Sequence, residues 1–332
     1  MTADNIQKLL FQEVKARLAP HLSLVDEVSE CLHISNDSAY RRIRGEKLLS
    51  LEEASVLCSS FNISLDHALD IKSDSIIFHG RIDMDSATVF EDYLGSMLKQ
   101  LMMVDQYENK HIYFLLKDIP PFDQFLIPEL AAFKFYLWNK SILHNESLRS
   151  VKFRIDDPRF DAYFPVSRQI IETYNRIPVT EIWNLESINS TLRQIRFYRD
   201  SGAFETEATE KLLYEKLKEL VNHLERQAEL ELKFLPGKTP TSDSGSYRVF
   251  VNDLILGDNT FAAEMNGQLI SFLNHSVLYF LGTTDPQFNQ NMFRNLKNLM
   301  KKSAMISGVG EKERAKFFNK LRQKLDACIA SV

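Results

Sequence analysis

At 332 residues the chain has room for two or three domains and a substantial core. Hydrophobic residues at 44% and charged ones at 26% are an ordinary globular balance, and no run of 18 apolar residues offers a membrane span. A net charge of −5 argues against a general nucleic-acid coat, and Cys31, Cys58 and Cys328 lack the CxxC or Cys/His spacing of a metal site and fit a reducing cytoplasm.

The opening stretch has no basic region followed by a long apolar run, so it reads as an amphipathic helix and not as a signal peptide. Ile6, Leu9, Leu10, Val14 and Leu18 recur at helical spacing, and Pro20 stops the helix. Ser23 can cap a second helix with apolar positions Leu24, Val28 and Leu32. A three-residue turn, His33-Ile34-Ser35, follows, and Ser35 caps a third helix. Ala39 and Ile43, four apart, face inward there. Asn36, Asp37, Ser38, Tyr40, Arg41, Arg42 and Arg44 are left on or near the outer face, and Gly45 ends the helix. Ser50 and Glu53 form a capping box for a fourth helix, with Leu51, Ala54, Val56 or Leu57, Cys58 and Phe61 as its core face. Ser64 opens a short fifth helix through Leu65 and Leu69. Two short helices, a tight turn and three arginines on the second helix are the layout of a helix-turn-helix, which sets its second helix in the DNA major groove.

Three strings carry a family resemblance: S-x-x-x-A-Y-R-R-I-R-G from Ser35 to Gly45, S-L-x-E-A from Ser50 to Ala54, and F-N-I-S-L-D from Phe61 to Asp66. Together they resemble the Cro/repressor-type (Xre-like) helix-turn-helix family over roughly residues 6–70. The resemblance implies a third helix that reads base edges and a dimer that grips two half-sites. Position by position, it makes Asn36, Ser38, Tyr40 and Arg41 the base-reading candidates. Ser35, Arg42, Arg44 and Lys47 become candidates for phosphate or groove-edge contacts. The chemistry suits those roles, because Arg forks onto guanine O6/N7 and Asn onto adenine N6/N7. Residues 1–72 hold 8 Lys/Arg against 11 Asp/Glu, and Asp37 and Glu46 flank the arginines. Non-specific affinity, which comes from neutralised phosphates, is therefore expected to be weak and dimerisation close to a requirement.

Beyond Asp70, Ser75–Ile82 reads as a strand, residues 86–105 as a helix with a broad apolar face and Lys110–Lys117 as a buried strand, an order that suggests a small α/β element with parallel pairing. A loop stiffened by Pro120, Pro121 and Pro128 leads into a helix from Glu129 to about Leu143. Its Phe133, Phe135, Tyr136 and Trp138 read as core or a dimer face, with a ligand pocket as the alternative. Residues 165–232 read as nearly all helical. Leu213, Leu217, Leu220 and Leu224 suit a bundle helix, or a short dimer seam. The polar stretch 236–246 is the expected linker between a central domain (73–235) and a C-terminal one (247–332). Four strand-like runs then predict a small antiparallel sheet, with Asn266-Gly267 as a hairpin turn, followed by two basic helices. Residues 294–324 carry 10 Lys/Arg and 2 Asp/Glu. Lys297, Lys301, Lys302, Lys312, Arg314, Lys316 and Lys320 read as solvated helix faces, or as contacts to DNA flanks or an anion.

No HExxH, GxSxG, P-loop or kinase pattern occurs, so neither catalysis nor a cofactor is expected. The expected fold is mainly α with an α+β C-terminal part. A five-helix helix-turn-helix domain (1–72) precedes a helical and small-sheet region for dimerisation and response to a small-molecule or protein effector. The expected function is a cytoplasmic, sequence-specific transcription regulator that binds double-stranded DNA as a homodimer. The alternative is a non-catalytic adaptor whose helical N-terminal unit contacts protein.

Overall fold

The computed structural model describes residues 3–18, 22–61, 63, 65, 76–80, 89–254, 260–274 and 278–332. The chain divides into two compact units, Met1–Ile76 and Ile77–Val332. Helix predominates, and a seven-stranded mixed sheet lies in the second unit. No helix among the described residues is long and apolar enough to cross a membrane.

The first unit contains α1 (Ala3–Arg17), α2 (Leu24–Leu32), α3 (Asn36–Ile43) and α4 (Leu51–Ser60). Ser23, Ser35 and Ser50 each accept a backbone N–H at a helix start, and Glu53 closes the capping box by taking the Ser50 N–H. The apolar stripes meet in two small clusters, Leu10, Val14, Ala54 and Ile63 in one, Phe11, Val28, Ala39 and Leu57 in the other. Leu51, expected inside, is 81% exposed, and of the alternatives Val56 and Leu57 it is Leu57 that is buried. Ala54 and Leu57, three apart, define the buried stripe, and Leu51, one step earlier on it, is exposed at the first position of the helix. The expected fifth helix from Ser64 lies largely outside the described residues.

The second unit is built on the strand order β6-β5-β4-β1-β2-β3-β7. These are β1 (Lys110–Leu115), β2 (Val179–Trp183), β3 (Tyr247–Val251), β4 (Thr260–Met265), β5 (Gln268–Asn274), β6 (Phe280–Thr283) and β7 (Ala304–Met305). β1, β2 and β3 run parallel, and every other pairing is antiparallel. The helices are α5 (Val89–Asp105), α6 (Pro121–Gln124), α7 (Pro128–Leu137, continued by a π turn to Ile142), α8 (Tyr163–Tyr174), α9 (Asn189–Asp200), α10 (Ala208–Leu230), α11 (Pro286–Lys301) and α12 (Glu311–Ala330).

Several expectations change here. β1 takes β2 as its parallel partner, and β2 lies in a stretch read as helical. The segment at 76–80 instead reaches the far edge, where His79 exchanges two backbone hydrogen bonds with Gly282 of β6. Residues 236–246 do not divide a central from a C-terminal domain: they lead from α10 to β3, which pairs with β2 inside the same sheet. Of the four runs expected to form a separate antiparallel sheet, the first is β3, parallel to β2, and only β4, β5 and β6 pair antiparallel, as one side of the large sheet with β4 hydrogen-bonded to β1 along its whole length. The Asn266-Gly267 turn does join β4 to β5, with both residues at positive φ as a two-residue hairpin requires. Leu213, Leu217, Leu220 and Leu224 are fully buried within the unit, where α10 packs on α12, so they form no exposed seam. Phe133, Phe135, Tyr136 and Trp138 are likewise core.

Candidate nucleic-acid interface

Local chemistry fixes α3 at both ends. α2 closes with His33 in the left-handed region, and the N–H groups of His33 and Ile34 return to Glu30 and Ser29. Ser35 then turns the chain and caps α3, its Oγ accepting from Ser38 N at 3.3 Å. At the other end Gly45 takes φ +81°, and the N–H groups of Gly45 and Glu46 return to Arg42 and Arg41. Both C-termini therefore use the same two-bond stop, which glycine adopts without strain and histidine does not.

Three side chains hold α3 against the rest of its unit. Gln7 of α1 is buried. Its amide donates to the carbonyls of Arg42 (2.6 Å) and Lys47 (2.8 Å) and accepts from Leu49 N–H (2.8 Å). Arg42 is buried with its fork on Glu53, Nη2 to Oε1 at 2.6 Å and Nε to Oε2 at 3.0 Å, and Nη1 reaches the Ser38 carbonyl at 3.1 Å. That ion pair holds the Glu53 carboxyl below the usual carboxylate range, and the Arg42 hydrogen bond is the main cause. Ala39 is the third inward contact. The inner face of α3 is thus Ala39, Arg42 and Ile43, at i, i+3 and i+4.

This corrects the reading of Arg42 as a phosphate contact, because its donors are spent on Glu53 and Ser38. The remaining candidates face outward or sit at the rim. Asn36, Tyr40 and Arg44 line up four residues apart, and Arg41 lies beside them. The Arg41 and Arg44 side chains are 54% and 59% exposed. Each only approaches Glu46, at 3.9 and 3.6 Å, the kind of surface pairing worth little in water. Arg44 also sits over the Tyr40 ring, 5.4 Å from its centroid. Asn36 donates its Nδ2 to Asp26 Oδ1 at 2.9 Å. Ser35 and Lys47 are exposed, and Ser38 is half-buried with its hydroxyl shared with Ser35.

No protein-family model, curated protein or solved structure matches this chain. What the surface offers chemically is two exposed guanidinium groups only loosely paired with Glu46, an amide and a phenol on the outer side of a short capped helix, and one lysine just beyond it. Asp26, Asp37 and Glu46 stand among them and oppose an approaching polyanion.

Sequence reasoning passed over Gln7 and the second role of Glu53. Gln7 had a signal, since it lies three, four and seven residues before Leu10, Phe11 and Val14 and so falls on the apolar stripe of α1. A polar side chain in such a position calls for internal partners. Asp26 had none. In the second unit Arg314, expected with the solvated basic residues, is buried and donates Nη1 to the carbonyls of Ile306 (3.1 Å) and Gly308 (2.8 Å). It serves the loop that precedes α12. Lys297, Lys301, Lys302, Lys312, Lys316 and Lys320 are exposed.

Proposed function

We propose that the chain is a sequence-specific, DNA-binding transcription regulator. It acts as a homodimer in the cytoplasm and uses α2, the His33–Ser35 turn and α3 as a helix-turn-helix of the Cro/repressor type. The observation that carries this reading is the division of labour among the three arginines of α3. Arg42 is consumed in holding the helix, whereas Arg41 and Arg44 stand exposed on a unit whose net charge is otherwise acidic. Two exposed cations, held by no more than a long surface pairing with Glu46, on one face of a rigidly capped helix suit a polyanion.

In this mechanism α3 enters the major groove. Arg41 forks onto a guanine edge, and Asn36 leaves Asp26 to meet an adenine. Ser35, Arg44 and Lys47 fix the register on phosphates. Two copies engage half-sites one helical turn, about 34 Å, apart.

An adaptor role for the first unit is the second reading. The exposure of Leu48 and Leu51, 56% and 81%, favours it, because apolar side chains of that kind suit a protein partner. Selection of bound sites from a random duplex pool separates the two. A regulator enriches a palindromic motif, and with two phosphate-contacting cations per subunit, Arg44 and Lys47, its log–log salt slope is about −4. Arg41→Ala then relaxes the choice at one position of each half-site. Failure to enrich any motif, together with a flat salt response, overturns the DNA reading.

A further inference from the structure

The second unit carries an open groove of about 660 Å³ between the end of α7 and the end of α9. α7 closes in a π turn, Trp138–Ile142, where the Leu143 N–H returns to the Trp138 carbonyl at 2.9 Å. Single π turns of this kind recur at functional sites. Here the turn places Lys140 and Ser141 in the groove lining, and the chain beyond it adds Asn145, Glu146 and Arg149. α9 contributes Phe197 and Tyr198. The Phe197 side chain is 62% exposed, and its ring stands edge-on to that of Tyr198 with centroids 5.5 Å apart.

Hydrogen bonding leaves this lining rich in unspent donors. Lys140 Nζ gives one N–H to the Val151 carbonyl (2.7 Å) and one to Tyr136 Oη (2.8 Å), and the third has no partner. Among the described residues no carboxylate stands within ion-pair distance of it. Burial alone acts on its pKa, and lowers it. Ser141 Oγ and Tyr198 Oη bond to each other, and whichever donates, the proton of the other is unspent. Asn145 takes the Ser147 N–H (3.0 Å) and hydroxyl (2.8 Å) on Oδ1, which leaves its NH₂ open. Glu146 is the one carboxylate in the described lining. It stands 3.6 Å from Arg149, and both side chains are 82% exposed. Water can meet the open donors, but it brings no counter-charge to an ammonium partly withdrawn from solvent. An anion does both, through charge-assisted hydrogen bonds.

We propose that this groove binds a small aromatic anion. Its phosphate or carboxylate oxygens accept from Lys140, from the Ser141–Tyr198 hydroxyl pair and from Asn145, and its ring packs on Phe197. The volume lies within the roughly 300–1,000 Å³ of small-molecule sites. The Tyr198 ring alone separates Phe197 from the hydroxyl pair, which suits a single ring that bears its charged group directly.

Phenyl phosphate and benzoate are the probes, with phenol as the ring without the charge and inorganic phosphate or acetate as the charge without the ring. Calorimetric titration of the full chain, with no DNA present, is expected to give one sub-millimolar site for at least one of the two aromatic anions, and the tighter of them names the charged group. Phenol and the matching bare anion are each expected to bind at least fivefold more weakly. Lys140→Met is expected to weaken the aromatic anion at least tenfold. Phe197→Ser, a change at the surface, is expected to weaken it at least fivefold. If Lys140→Met fails to fold, Phe197→Ser and the probe series still decide. No binding of either aromatic anion at millimolar concentration overturns the proposal. Phenol binding as tightly overturns the part of the charge, and the bare anion binding as tightly overturns the part of the ring. Unchanged affinity in folded Lys140→Met puts the anion elsewhere, on the basic helices α11 and α12 or on α3, and overturns the site. None of these outcomes bears on whether α3 reads DNA.

Discussion

Arg41 and Arg42 are chemical twins that the fold assigns to opposite tasks. Arg42 has its fork on Glu53 and a side chain only 5% exposed, so its loss removes a charge-assisted pair and leaves a partly buried carboxylate behind. Arg42→Ala is expected to destabilise the first unit by about 1.5–3 kcal/mol, read as a lower denaturation midpoint, and to weaken DNA binding only through that loss. Arg41→Ala is expected to leave the midpoint unchanged and to cost about 1–3 kcal/mol of binding to a selected site. The Arg42 effect also has a pH signature. Glu53 titrates below its usual range when folded, so the pair's contribution is complete above an ordinary Glu pKa of about 4.3 and is lost as pH falls through the lower folded value. The gap in midpoint between the unaltered chain and Arg42→Ala should therefore close in acid. A gap that persists there rules out the ion pair as its source. The inward position of Arg42 is written in its spacing from Ala39, but an arginine on a buried stripe runs against the ordinary partition of charged residues, and its partner Glu53 already had a capping role. Charge and periodicity gave opposite answers at that position, and burial followed periodicity.

At the level of elements, the ends of α2, α3 and α4 were legible because each carries its own capping residue, and local chemistry of that kind needs no tertiary context. β2 was not. It is five residues long, buried at every position and interrupted by Glu181, so it shows neither alternation nor an unbroken apolar run. Glu181 is tolerated there because Tyr174, Trp183 and Tyr247 all donate to it, at 3.1, 2.7 and 2.6 Å, and two of those donors lie outside the strand. The groove between the ends of α7 and α9 was equally out of reach, since its walls come from elements that only the fold brings together. Of the helical packing, the α1–α3 junction makes the clearest forecast. Gln7 ties α1 to the backbone on both sides of Gly45, and Gln7→Leu removes all three bonds while keeping the volume. The Lys47 carbonyl and the Leu49 N–H lose their partner, while the Arg42 carbonyl keeps the Gly45 N–H, so a loss of about 2–3 kcal/mol is expected. Faster hydrogen exchange at Leu49 in that variant checks it, and an unchanged Leu49 rate sinks the assignment.

Across the second unit, pH acts through His111 on β1. Burial, with Arg248 nearby, pushes its pKa down to about 4, and Nε2 shares a hydrogen bond with Thr180 Oγ1 at 2.8 Å. Folding thus favours the neutral ring. The benefit is complete above the unfolded value of about 6.5 and is lost as pH falls toward 4, amounting to about 2 kcal/mol by pH 5. A His111→Asn variant is expected to flatten the fall in melting temperature between pH 7 and pH 5, and an equal fall in both proteins rules out this source. The strand order carries one more consequence. β1 is made early, yet its antiparallel neighbour β4 emerges about 150 residues later. At translation speeds of about 5–20 residues per second, the nascent chain waits roughly ten to thirty seconds with that hydrogen-bonding edge unsatisfied. Its sheet cannot be completed until β4 has left the ribosome, so until then that edge is open to pairing with other chains.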